Sequence, residues 1–83
     1  MFEIWTEASG DIKPRFYGSW PGASFDDAVA SLIESQPSLK AQYRLTEMYT
    51  AQDEEGNMSL GPVHFLGWSR LVPSKELAMK NYG

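Results

Sequence analysis

The chain has 83 residues, 42% of them hydrophobic and 22% charged, a balance that suits one compact globular domain over positions 1–83 and excludes an intrinsically disordered chain. Its formal net charge of -4 argues against a general nucleic-acid coat, which carries an excess of Lys and Arg. With no cysteine, it has no disulfide, thiolate zinc site, iron–sulfur cluster or thiol nucleophile.

The first residues, "MFEIWTEASG", lack a basic run followed by a long apolar stretch, so no signal peptide is expected. No apolar run approaches the roughly 20 residues of a membrane span. A cytoplasmic protein with no membrane association is the expectation. "FEIWTE" alternates with period two, Phe2, Ile4 and Thr6 against Glu3, Trp5 and Glu7, which is a strand pattern. "ASGD" supplies turn residues, and "IKPRFYGSW" follows as a weaker second strand that Pro14 directs to a sheet edge. Pro21 and Gly22 close it with a turn.

"SFDDAVASLIES" predicts an amphipathic helix. Ser24 can cap the first free N–H groups, Asp27 occupies the capping-box position, and Asp26 and Asp27 lie where the helix dipole favours negative charge. Phe25, Ala28, Val29, Leu32 and Ile33 form one apolar stripe, and Pro37 ends the helix or starts a short second turn. "YRLTEMYTA" alternates again. "QDEEGN" is a polar loop containing a glycine, and "GPVHFLGWSRLVP" is its partner strand. "PSKELAMKNYG" admits either a helical turn capped by Ser74 or a flexible tail over residues 74–83.

The expected architecture is α+β in two layers: a mainly antiparallel four-stranded sheet in β-β-α-β-β order, one helix on one face, and room for a short C-terminal helix. No internal repeat or low-complexity run interrupts it.

Catalytic signatures are sparse. His64 is the sole histidine, and neither an HxH or HxxxH spacing nor a neighbouring acid accompanies it, so a structural or surface-strand role is expected. Asp53, Glu54 and Glu55 lack the alternating donors of an EF-hand loop and read as a solvated tip. "GSWPG" lacks the glycine spacing of a phosphate cradle, and no GxSxG or SxxK occurs. No metal, cofactor or enzymatic activity is therefore expected.

The helix is expected to cover Phe2, Ile4, Phe16, Leu45, Val63 and Phe65, with Tyr43, Tyr49 and Leu71 bordering that core. Gly67, on the same side, would permit close helix approach. By alternation the reverse face would carry Trp5, Arg15, Tyr17, Arg44, Met48, His64, Leu66, Trp68 and Arg70. One reading has the C-terminal segment (Leu77, Met79, Tyr82) covering this strip. The other leaves it open as a partner surface built from Trp5, Arg15, Tyr17, Arg44, Trp68 and Arg70, residue types that dominate interface energetics. Asp26, Asp27, Glu34, Asp53, Glu54 and Glu55 form a second, acidic candidate surface suited to a basic partner. The expected function is a non-enzymatic protein-binding module. In size and acidity alone it is similar to small phage- or mobile-element-encoded inhibitors that block a partner protein. The partner is expected to be another protein, with a second copy of this chain as one candidate. Binding of single-stranded nucleic acid on an aromatic and arginine sheet face is the alternative.

Overall fold

The computed structural model describes residues 1–52, 56 and 58–80. β1 (Phe2–Thr6) follows its alternation, with Ile4 and Thr6 buried. β2 (Arg15–Trp20) pairs with it antiparallel: Thr6 lies opposite Arg15, Trp5 opposite Phe16, Glu3 opposite Ser19 and Phe2 opposite Trp20. The register slips between Glu3 and Trp5, where β2 contributes an extra residue, and Gly18 takes a φ of 97° within that bulge. Only glycine adopts such a φ without strain. The extra residue lets Tyr17 and Trp20 both pack on the helix-side core, and the Trp20 indole N–H donates to the Tyr17 carbonyl at 2.8 Å.

α1 (Phe25–Ser35) begins as its sequence demands, with Ser24 Oγ accepting from the Asp27 N–H at 3.3 Å. Its stripe of Ala28, Val29, Leu32 and Ile33 is buried against Ile4, Leu66 and Leu71, and this cluster is the main core. Pro37 opens a 3-10 turn, Pro37–Leu39, that leads to β3 (Tyr43–Gln52). β4 (Met58–Leu66) and β5 (Ser69–Val72) complete the sheet, whose order is β2-β1-β5-β4-β3 with every pair antiparallel. Because β2 and β3 are the two edges, the segment joining them crosses a whole face, and α1 packs on β2, β1 and β4 along that path.

The α+β, antiparallel expectation holds, with five strands rather than four. The stretch read as one strand turns back on itself at Gly67 and Trp68, so that Leu66 faces Ser69. Gly67, at a φ of 61°, fills the first central position of a two-residue turn, where glycine is favoured for its conformation. It is not a contact glycine under the helix, since a Cβ built there would meet nothing nearer than Gln42 Oε1 at 3.9 Å.

The faces also differ from expectation. In β4 the helix side is taken by His64 and Leu66, not by Val63 and Phe65. In β2 it is taken by Arg15 and Tyr17, while Phe16 packs at a tilt against Trp5 on the reverse side with ring centroids 4.6 Å apart. Leu45 lies opposite His64 and so on the expected side, but beyond the helix's reach, and is 57% exposed. α2 (Lys75–Met79) is capped by Ser74 Oγ and packs on β5 and β1. Val63, Val72, Ala8 and Ala78 are buried outside the main core, and register puts Val63 and Val72 on the reverse side. The C-terminal segment thus closes part of that side; Tyr82 lies outside the described residues.

Gly22 lies where the chain enters α1, and a Cβ added there would fall 2.6 Å from the Ala28 N and 2.8 Å from the Asp27 Cβ. Gly22→Ala is expected to cost about 1–3 kcal/mol, the usual cost of overpacking. Urea unfolding checks this: the midpoint falls with an unchanged slope, whereas an unshifted midpoint contradicts the close approach.

Candidate functional site

His64 anchors the least expected feature of the molecule. Its side chain is buried, and both ring nitrogens are engaged: Nε2 lies 2.6 Å from Asp26 Oδ1, and Nδ1 is within hydrogen-bond distance of the Tyr43 hydroxyl. An ionised carboxylate can only accept, so in the neutral imidazole Nε2 carries the proton. Nδ1 then accepts from Tyr43. The Phe25 ring meets the imidazole edge-on at 6.1 Å, and the Tyr43 ring stacks at 5.8 Å. The first turn of α1, the start of β3 and the C-terminal part of β4 are thereby joined in one chain of hydrogen bonds.

An acid–imidazole–hydroxyl chain has the connectivity of a catalytic triad, so its electrostatics decide what it can do. Burial first, and the Asp26 carboxylate second, push the Tyr43 pKa up from 10.0. An activated nucleophile needs the opposite shift. Tyr43 stays protonated at neutral pH and donates to Nδ1, so the chain of hydrogen bonds holds a proton on Nε2 and ties α1 to β3 and β4.

Beside His64 a cleft of about 360 Å³ opens. β4 and β5 pair only at Phe65–Arg70 and Leu66–Ser69, and β5 then turns to β1, pairing Thr6 with Leu71 and Trp5 with Val72. Pro62 and Pro73, neither able to donate to a ladder, flank the gap. Arg70, Lys80 and Glu7 bring charge to its walls, and Phe25, Leu71 and Leu77 bring apolar surface.

The reverse face carries the remaining aromatic and cationic groups. Register runs Phe16–Trp5–Val72 across β2, β1 and β5, then Arg70–Phe65–Arg44 across β5, β4 and β3. The Arg44 guanidinium sits 5.3 Å from the Phe65 ring centroid and 5.4 Å from that of Trp68, and donates to the Gly67 carbonyl at 3.1 Å. Trp68, at the tip of the β4–β5 turn, is 92% exposed.

Of the residues expected on one open face, Trp5, Arg44 and Arg70 share it and Met48 joins them by register, with Trp68 at its rim. Arg15, Tyr17, His64 and Leu66 do not: they lie on the helix side, where the Arg15 guanidinium is 5.3 Å from the Tyr17 ring centroid. Phe16 and Phe65, expected in the core, belong to the reverse face. In the acidic group, Asp27 and Glu34 are exposed, Asp26 is engaged with His64, and Asp53, Glu54 and Glu55 lie outside the described residues. Asp26 and Tyr43 were missed as partners of His64. Their separations of 38 and 21 residues leave no local spacing signal.

Among the described residues no three His, Cys, Asp or Glu side chains gather as metal ligands, and no helix is long and apolar enough to cross a membrane. No protein-family model, curated protein or solved structure matches the chain.

Removing the carboxylate strands the buried Nε2–H. Asp26→Ala is expected to lose about 1–3 kcal/mol in urea unfolding, the usual effect of leaving such a donor unsatisfied. An unchanged midpoint would show that the contact carries no weight. A raised folded-state pKa of Tyr43 means its contribution is complete below about pH 10 and is lost as pH rises through the folded value. The unfolding free energy of the parent chain should therefore decline more steeply above pH 10 than that of Tyr43→Phe. Parallel curves would contradict the shift.

Proposed function

We propose that this chain is a non-enzymatic protein-binding module that docks through the reverse face of its sheet. Trp68 is the anchor, and Arg44, Phe65, Trp5, Phe16 and Arg70 form the surrounding surface. The observation that carries this reading is the Trp68 indole, 92% exposed on a two-residue turn and flanked by a guanidinium that is itself tied to the turn's carbonyl. A large aromatic held out on a rigid tip loses little conformational freedom on docking, which is how a few residues come to dominate an interface. The fitting partner offers an apolar pocket for the indole and carboxylates opposite Arg44 and Arg70, which register places on the same face. Inhibition by occupying such a surface needs no catalytic group. The exposed acids Asp27 and Glu34 are too few among the described residues to lead.

The adjoining Trp5–Phe16 rings favour a second reading, in which unstacked bases lie on the aromatics and Arg44 meets phosphate. One comparison separates the two. A photo-crosslinking amino acid at position 68 is expected to capture a single host protein, and Trp68→Ala to weaken binding of that protein by about 30-fold or more, the scale of a 2 kcal/mol hot spot. Salt-sensitive binding of single-stranded oligonucleotide that Trp68→Ala abolishes, with no protein captured, would favour nucleic acid instead.

A further inference from the structure

One concave feature adjoins the reverse face and shares Arg70 with it: the cleft where β4 and β5 part. We infer that this cleft is a binding site for a small organic carboxylate with a short apolar body.

Its volume, about 360 Å³, lies at the small end of the range for ligand sites, about 300–1,000 Å³. The opening is built into the topology. β5 cannot follow both neighbours, because β1 holds it at Leu71 and Val72 while β4 holds it only at Ser69 and Arg70. The Glu7 N–H extends the β1 side by donating to the Arg70 carbonyl at 2.8 Å, and the Ala8 N–H donates to the Ala78 carbonyl at 2.7 Å, so the far wall is fixed to α2. On the near wall His64 is held through both nitrogens and Phe25 through the capped first turn of α1. Rigid walls of this kind favour a preformed site over a gap that collapses.

The lining sets the ligand class. Phe25, Leu71 and Leu77 supply apolar surface, which does not suit inorganic phosphate or another fully hydrated ion. Among the residues lining the cleft that carry a fixed charge, Arg70 and Lys80 outnumber the single acid, Glu7. A guanidinium beside apolar surface offers a carboxylate two parallel hydrogen bonds in a partly desolvated setting, where charge-assisted bonds are strongest. With Arg70 on the reverse face and Phe25 and Leu71 on the helix side, the ligand would enter the gap between the strands, its carboxylate toward Arg70 and its apolar part toward Phe25 and Leu71.

Hexanoate, hexan-1-ol and hexylamine, titrated separately into the 15N-labelled full chain, test this. Hexanoate should shift the backbone amides of His64, Leu71 and Leu77 saturably, and hexan-1-ol and hexylamine should bind at least tenfold more weakly. Arg70→Gln should weaken hexanoate at least fivefold. Lys80→Gln, at an exposed position with little bearing on folding, provides the same test if the first variant is unstable. The inference is overturned by non-saturating shifts, by shifts centred on Trp68 instead of the cleft, by equal affinity for the alcohol or amine, or by hexanoate binding that neither variant weakens.

Discussion

The hydrogen-bond chain from Asp26 through His64 to Tyr43 ties together three elements that meet nowhere else in sequence, and much of the architecture follows from it. A buried imidazole with an unsatisfied nitrogen is costly, so His64 can occupy the helix side of β4 only if both nitrogens find partners there. The first turn of α1 supplies one and the first residue of β3 the other. With His64 inward, strand geometry sends Leu66 inward and Val63 and Phe65 outward. That single choice of phase puts Phe65 beneath Arg44 and leaves the indole of the following turn beside them.

Topology does the rest. Returning β5 between β1 and β4 makes a five-stranded sheet from a chain with few residues for a core, and gives the short β5, whose Leu71 and Val72 are buried, a neighbour on each side. Its divided allegiance opens the seam beside His64. Fold, cleft and aromatic ladder thus share one origin: a central strand held from both sides and a neighbouring strand whose phase a histidine fixes.

Local chemistry was readable and long-range chemistry was not. The cap at Ser24 and the stripe through Ile33 depend on residues within two turns of one another, and the helix forms where they place it. Phe2, Ile4 and Thr6 likewise announce their strand by alternation alone. "VHFL" is different, because every position is bulky enough to pack and either phase satisfies the pattern; the deciding partners of its histidine are remote. In "RFYGSW" the bulge at Gly18 inverts the expected sides of Phe16 and Tyr17, and alternation carries no sign of an extra residue. The Gly67–Trp68 turn was hidden because Phe65, Gly67, Ser69 and Leu71 alternate with Leu66, Trp68 and Arg70 as one continuous strand would. The candidate surface was legible in composition, as tryptophan and arginine without catalytic spacing, but its membership depends on those two phases.

The placement of the His64 ring is therefore the point on which the account rests most heavily. Long-range 1H–15N correlation of the imidazole at neutral pH reads it directly. A proton on Nε2, slow to exchange and showing nuclear Overhauser contacts to Phe25, is the predicted result. A ring proton in rapid exchange with solvent and lacking any contact to α1 would place His64 on the other side of the sheet, and the ladder, the cleft and the proposed docking face would go with it.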